Sequence, residues 1–317
     1  MLRIGFIGLG IMGKPMAGHL AKAGDALYVH SRTYASVAEL AALGAVPCKN
    51  SKEVTERSEI VFLMLPDTPD VEEVLFGTDG VSKGIQSGST VVDTSSISPM
   101  ETRKFAERLR NQGVEMLDAP VSGGQIGARN ATLSIMVGGK AEVFARIKPL
   151  FEKMGKNIVY IGGNGDAQIC KVANQIVVAL TIEAVGEALL GGFAQSRILD
   201  VHGERMIKRT FQPGFRIRLH QKDLRLALQT GKELGVSLPN TATAQELFTA
   251  VSASGGAEMD HAAMVQALER LANLGSGRSR KIDSAKVGYQ GSQTFQTFQD
   301  HRIPKLSQKD CGWANAP

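Results

Sequence analysis

Through the first 165 residues, short runs rich in β-branched and aromatic residues alternate with stretches whose apolar residues recur at helical spacing. The runs are LRIGFI, ALYVH, EIVFLML, STVVD, VEMLDA and NIVYI, and the helical stretches lie near residues 13–23, 35–43, 69–76, 99–111 and 141–154. This order dictates βαβ units around a mostly parallel sheet, because parallel neighbours need a crossover between them. TLSIMVGG adds one further strand. Beyond about residue 165 the β-branched runs stop, and helical spacing holds over 167–190, 195–209, 220–234, 240–253 and 259–273. The expected architecture is α/β, a doubly wound sheet over residues 1–164 followed by an all-α domain over 165–274. Residues 275–317 lose apolar periodicity and gain Gly, Ser and Gln, which reads as a disordered tail.

Charge supports this division. The net charge is +5, but residues 275–317 alone hold seven Lys/Arg against three Asp/Glu, so the body is close to neutral. A basic tail on a neutral body is a poor sign of nucleic-acid binding, and no nucleic-acid partner is expected. No run of about 18 uninterrupted apolar residues would make a membrane span, and the most apolar helix candidate carries Glu183 and Glu187. The chain enters a strand at Leu2 without a cleavable apolar leader, so the cytoplasm is the expected compartment. Three widely spaced cysteines, Cys48, Cys170 and Cys311, form neither a disulfide framework nor a zinc pattern. The histidines at 19, 30, 202, 220, 261 and 301 lack metal-ligand spacing and read as ordinary polar positions, so no metal is expected.

The sharpest local signal is GLGIMG, spanning Gly8, Leu9, Gly10, Ile11, Met12 and Gly13. G-x-G-x-x-G alone is weak, but here it follows a strand, opens a helix and begins a βαβ series, as a dinucleotide-binding, Rossmann-like fold requires. In that setting Gly8 permits a sharp turn, Gly10 lets a pyrophosphate approach the main chain, and Gly13 lets the helix pack on the strand. Such folds often end the second strand in a carboxylate that holds the ribose 2′-hydroxyl of NAD. This chain has Ser31, Arg32 and Thr33 there instead. A guanidinium between two hydroxyls suits a 2′-phosphate, so NADP(H) is expected over NAD(H), which stays possible.

FIGLGIMGKPMAGHL resembles the N-terminal signature of the β-hydroxyacid dehydrogenase family, which includes 3-hydroxyisobutyrate dehydrogenases. MLPDTPDVEEVLFG, VVDTSSISP, DAPVSGGQIGA, TLSIMVGG, KVANQIVVAL, PGFRIRLHQKDLRLAL and LPNTA match in order, over residues 2 to about 273. KVANQ, FRIRLHQKDL and LPNTA resemble the branch that reduces 2-hydroxy-3-oxopropionate (tartronate semialdehyde). The resemblance implies NADPH-dependent reduction of that small acidic substrate to D-glycerate, and a homo-oligomer, dimer or tetramer, built on the helical half. Alternatives are another semialdehyde or hydroxy acid (3-hydroxyisobutyrate, glyoxylate or succinic semialdehyde) and a non-catalytic dinucleotide-binding scaffold. It also places Leu65, Pro66 and Ser96 beside the nicotinamide, Lys222 at the cofactor site, and Ser122, Gly123 and Gly124 on the substrate carboxylate and hydroxyl. Lys171 is implied as the catalytic residue.

Hydride reduction of an aldehyde leaves negative charge on oxygen, and a positioned acid must supply a proton. Lys171 lies in the first turns of a helix expected from Asp166, and partial burial would lower its pKa toward working pH. Asn174 and Gln175, at i+3 and i+4, share its helix face and complete the expected catalytic group with Ser122. Asp118 reads as structural. Compared with the family pattern, roughly 20 residues are missing near residues 189–190, an estimate from motif order.

Overall fold

The computed structural model describes residues 2–187, 198–271 and 273. The expected shortening near 189–190 and the expected tail at 275–317 lie outside the described residues.

The elements run β1 (Arg3–Ile7), α1 (Gly13–Lys22), β2 (Ala26–His30), α2 (Tyr34–Ala41), β3 (Val46–Pro47), α3 (Ser51–Glu56), β4 (Ile60–Leu63), α4 (Thr68–Phe76), β5 (Thr90–Asp93) and α5 (Pro99–Arg110). They continue with β6 (Glu115–Asp118), β7 (Val121–Ser122), α6 (Gly124–Arg129), β8 (Leu133–Gly138), α7 (Ala141–Phe151) and β9 (Gly155–Gly162). The sheet order is β3-β2-β1-β4-β5-β6-β8-β7, with β9 pairing the other side of β8. Every pairing from β3 across to β6 is parallel, as the alternation predicts, whereas β8 runs antiparallel to both β6 and β7. The central strands are apolar on both faces because helices cover both. Ile4, Phe6, Phe62 and Leu117 pack into one buried layer, and Ile7, Val61, Leu63 and Val91 into the other.

Among the strands and α-helices, four short ones escape the sequence reading: β3, β7, α3 and α6. Two to six residues are too few to show a period. α3 nevertheless carries a local signal, since Asn50 caps it by accepting from the Glu53 N–H at 2.9 Å while the Glu53 carboxylate accepts the Lys49 N–H at 2.8 Å.

The second half contributes α8 (Asp166–Glu187), α9 (Glu204–Lys208), α10 (Ile217–Glu233), α11 (Pro239–Val251) and α12 (Val265–Leu271). No strand interrupts these among the described residues, but the helix expected over 195–209 includes a π-helical turn, Leu199–Gly203. Ile182, Met206, Ile217, Leu224 and Phe248 form a separate apolar cluster. α8 lies against both β8 and α10, so one helix joins the sheet to the helical layer. Functional groups on its first turns therefore face strand ends and α10 together.

Candidate active site

Three glycines shape the β1–α1 turn, each for a different reason. Gly8 has φ +96°, and a Cβ there would lie 2.3 Å from the Met64 carbonyl oxygen. A Cβ at Gly13 would stand 1.9 Å from the Gly8 carbonyl oxygen, so the start of α1 rests on the turn itself. Gly10 is the exception: its φ is ordinary and nothing lies within 4 Å of a Cβ built there. Packing does not demand a glycine at 10, whereas a ligand lying against the main chain would. α1 has no side-chain cap and no acidic residue in its first turn, leaving its positive end available to an anion. These residues fit a dinucleotide pyrophosphate.

At the end of β2 the Ser31 hydroxyl accepts N–H bonds from Leu9 and Thr33, both at 3.4 Å. Arg32 extends into solvent and pairs with Asp70 at 3.4 Å. A cleft of about 770 Å³ borders Leu9, Gly10, Ile11 and Thr33 and runs along the outer side of α1 past Lys14 and Arg129. A smaller one, about 90 Å³, brings Ile11, Met12, Leu65, Pro66, Ser96 and Lys222 together, and strand ends on one side face α10 on the other. The smaller cleft is where chemistry fits, because it gathers the β1, β4 and β5 carboxyl ends, where ligands of open α/β sheets bind.

Behind that cleft lies a buried polar network. Lys171 on α8 is 7% exposed, and its Nζ donates to Gln175 Oε1 at 2.9 Å. Gln175 Nε2 donates to Asp223 Oδ2 at 2.6 Å, and Asp223 Oδ1 pairs with Lys222 Nζ at 2.8 Å. Lys222 also donates to the Ser96 carbonyl. The carboxylate thus settles the orientation of the Gln175 amide: with its NH2 committed to Asp223, only its oxygen can face the ammonium. Asn174 donates to the same Gln175 Oε1 at 2.9 Å. Burial pushes the Lys171 ammonium down to about 8, the charge of Asp223 opposing that shift and Lys222 adding to it.

The Ser122–Gly124 loop closes β7, with φ +126° at Gly123 and +58° at Gly124. Gly124 faces the Gly214 carbonyl, 3.9 Å from where a Cβ would sit. Asp118 is fully buried and accepts N–H bonds from Gly165 at 2.9 Å and Gln168 at 3.3 Å, tying β6 to the start of α8. Its register partner Asp93 accepts from Ser95 N–H through Oδ1, while Oδ2 is buried without a hydrogen bond. Burial pushes Asp93 up to about 7.

Comparison with known proteins places this arrangement. Residues 3–162 match the NAD binding domain of 6-phosphogluconate dehydrogenase, and residues 187–268 match the NAD-binding domain of NADP-dependent 3-hydroxyisobutyrate dehydrogenase. The 2-hydroxy-3-oxopropionate reductase of Escherichia coli K12 is 60% identical over 290 residues, covering 86% of this chain and 99% of the relative. The chain belongs to the β-hydroxyacid dehydrogenase family. It is an NAD(P)-dependent oxidoreductase acting on a CH–OH group. A further β-hydroxyacid dehydrogenase relative, the 2-(hydroxymethyl)glutarate dehydrogenase of Eubacterium barkeri, is 36% identical over 86% of this chain and 97% of its own. Among solved structures, the Mycobacterium tuberculosis 3-hydroxyisobutyrate dehydrogenase with L-serine superposes with a TM-score of 0.78 at 28% identity, covering 84% of this chain and 99% of that one. No helix among the described residues is long and apolar enough to cross a membrane.

Several residues around this β-hydroxyacid dehydrogenase site were not singled out by sequence reasoning. Asp223 sits inside the quoted HQKDL, where only Lys222 was singled out; the fold buries both. The histidines taken as ordinary polar positions include a buried chain: His220 Nε2 meets the Gln175 carbonyl at 3.2 Å, His220 Nδ1 meets His261 Nδ1 at 3.0 Å, and His261 Nε2 meets His202 Nε2 at 3.1 Å. Burial pushes His220 down to about 4, so its ring is neutral near pH 7. The only local hint is His220 preceding Asp223 by three residues, one helical turn.

Proposed function

We propose that this enzyme reduces 2-hydroxy-3-oxopropionate to D-glycerate, with NADPH preferred and Lys171 as the general acid. The reading is carried by the Lys171 ammonium, buried on a network that keeps it aimed, in a chain 60% identical to the E. coli reductase. When bound, the coenzyme supplies a hydride to the aldehyde carbon. Lys171 delivers its Nζ proton to the carbonyl oxygen as that oxygen gains negative charge. A pKa lowered by burial makes the ammonium a stronger acid than a solvated lysine while keeping it mostly protonated near neutrality. Gln175 and Asp223 hold the proton donor in one orientation, so little reorganisation is needed as charge develops.

The Ser122 hydroxyl and the Gly123 and Gly124 N–H groups suit the carboxylate of a small acidic substrate. Leu65, Pro66 and Ser96 wall the nicotinamide side, Lys222 stands at the cofactor edge, and Arg32 with Ser31 and Thr33 receives the 2′-phosphate. On this reading residues 1–164 carry the dinucleotide, residues 165–274 supply the acid and the oligomer contacts, and the protein works in the cytoplasm.

A panel of small semialdehydes and glyoxylate with purified protein, following loss of reduced-nicotinamide absorbance with NADPH and with NADH, tests the assignment. The fastest turnover is expected with 2-hydroxy-3-oxopropionate and NADPH. No oxidation of either coenzyme by any member would overturn it.

A further inference from the structure

Residues Pro213–Arg216 connect the helical layer to the cleft as a short strap: Gly214, Phe215 and Arg216 line it opposite Leu65 and Ser96. Only Arg216 has main-chain pairing of its own, an antiparallel bridge to Asp260, so the Gly214 and Phe215 N–H groups need a side-chain partner. That anchor is Asp260, which is fully buried. Its Oδ2 accepts the Gly214 N–H at 2.8 Å and the Phe215 N–H at 3.2 Å, and Oδ1 accepts the Ala262 N–H at 3.1 Å. Arg205 balances the charge at 2.5 Å from Oδ2. The next peptide is held as well, since the Phe215 carbonyl accepts the His261 N–H at 2.9 Å. The Phe215 ring packs against the rings of His220 at 5.7 Å and His261 at 5.4 Å.

The geometry has a directional consequence. In a planar trans peptide the N–H and the preceding C=O point opposite ways. Fixing the Phe215 N–H on Asp260 therefore turns the Gly214 carbonyl outward, toward Gly124 of the loop that the functional reading places on the substrate carboxylate. His202, Asp260 and His261 also bring donor atoms within 4.8 Å of one another, a spacing that a metal ion could use. The guanidinium and the backbone N–H groups already engage both carboxylate oxygens, so the cluster serves the main chain rather than a cation.

We propose that Asp260, braced by Arg205, is a positioning residue: it sets the reach of the Gly214–Phe215 strap over the Ser122–Gly124 loop and thereby the fit of the small acidic substrate. This rests on the functional reading above. Asp260 touches no reacting group: Oδ2 acts on the cleft through the strap, while Oδ1 caps the turn that begins at His261. Losing Asp260 loosens substrate binding, while the Lys171–Gln175–Asp223 network and the β1–α1 turn keep contacts that do not involve the strap.

The test compares wild type, Asp260→Asn and Gly214→Ala in steady-state kinetics with 2-hydroxy-3-oxopropionate and NADPH, together with coenzyme binding and amide hydrogen exchange over residues 211–217. Asp260→Asn is expected to raise KM for the aldehyde about tenfold or more, with kcat within about threefold and coenzyme affinity unchanged. Exchange at the Gly214 and Phe215 amides should quicken in the same variant. Gly214→Ala keeps the Asp260 side chain but crowds its grip on the strap, with a Cβ 3.2 Å from the Arg205 guanidinium nitrogens and 3.4 Å from Asp260 Oδ2, and should raise KM the same way. If Asp260→Asn does not fold, Gly214→Ala decides: an unchanged KM overturns the proposal. So does a folded Asp260→Asn with wild-type KM, or one whose coenzyme affinity falls as much as its aldehyde affinity. In those cases the wild type is active and only the strap is refuted, whereas a wild type inactive on every semialdehyde refutes the functional reading and this one with it.

Discussion

Gln175 stands one helical turn beyond Lys171, and its Oε1 accepts a hydrogen bond from the ammonium at 2.9 Å. The contact is local in sequence, but its direction is set from another helix, because Asp223 on α10 takes the Gln175 NH2 at 2.6 Å. Proton donor, amide and carboxylate therefore form one chain linking α8 and α10.

Removing the donor should abolish chemistry while leaving the coenzyme groove intact. Lys171→Ala is expected to lower kcat by about 10²- to 10⁴-fold, the usual contribution of a placed general acid. NADPH affinity, measured by fluorescence titration, should stay near wild type. Wild-type turnover in this variant would take Lys171 out of the reaction.

The pH profile follows from the same residue. Reduction needs the ammonium, so its rate should fall as pH rises through about 8, and oxidation of the hydroxy acid, which needs the free amine, should rise over that range. His220, held down to about 4, stays neutral throughout and adds no inflection there. Parallel profiles in both directions, or a reduction rate flat to pH 10, would contradict this assignment.

Gly10 and Gly13 should separate binding from folding. Gly10→Ala meets open space at an ordinary φ, so stability should change by no more than about 0.5 kcal/mol. Its coenzyme affinity should nevertheless drop about tenfold or more, since the new methyl occupies the approach to the main chain. Gly13→Ala places a Cβ 1.9 Å from a backbone oxygen and should lower the melting temperature whether or not coenzyme is present. Equal behaviour of the two variants in thermal melts would argue against the contrast.

Coenzyme choice should depend on Arg32. Its pair with Asp70 is solvent-exposed and easily surrendered to a phosphate. Arg32→Ala is expected to raise KM for NADPH about ten- to a hundredfold, the loss of a charge-assisted contact, with little effect on NADH. Equal losses with both coenzymes would show that the guanidinium does not read the 2′-position.

Asp93 predicts a pH-dependent stability. Its carboxyl is pushed up to about 7 by burial, above the unfolded value near 4, so between those pH values the folded state holds the extra proton. Stability from this group is therefore present at low pH and lost as pH rises to about 7, by up to about 1.4 kcal/mol per unit. Asp93→Asn should remove that slope in urea unfolding followed from pH 4.5 to 7.5, and slopes that coincide in the two proteins would refute it.

What the amino-acid order determined alone is the part governed by short-range rules. Apolar runs buried on both faces, helical spacing between them and three spaced glycines were enough to specify the parallel sheet, its first turn and the helical second half, because period and φ demands act within a few residues. The Lys171–Gln175 pair was legible for the same reason, lying at i and i+4 on one helix. Only the tertiary structure decided which charged side chains are buried and which polar groups meet. His220 reads as an ordinary polar position and nothing in the sequence marks Asp223 or Asp260; they become a neutral ring, a proton-donor brace and a strap anchor because α8, α10 and the turn before α12 converge on them. Burial and the direction of a hydrogen bond depend on neighbours 45 or more residues away, and no local pattern encodes them.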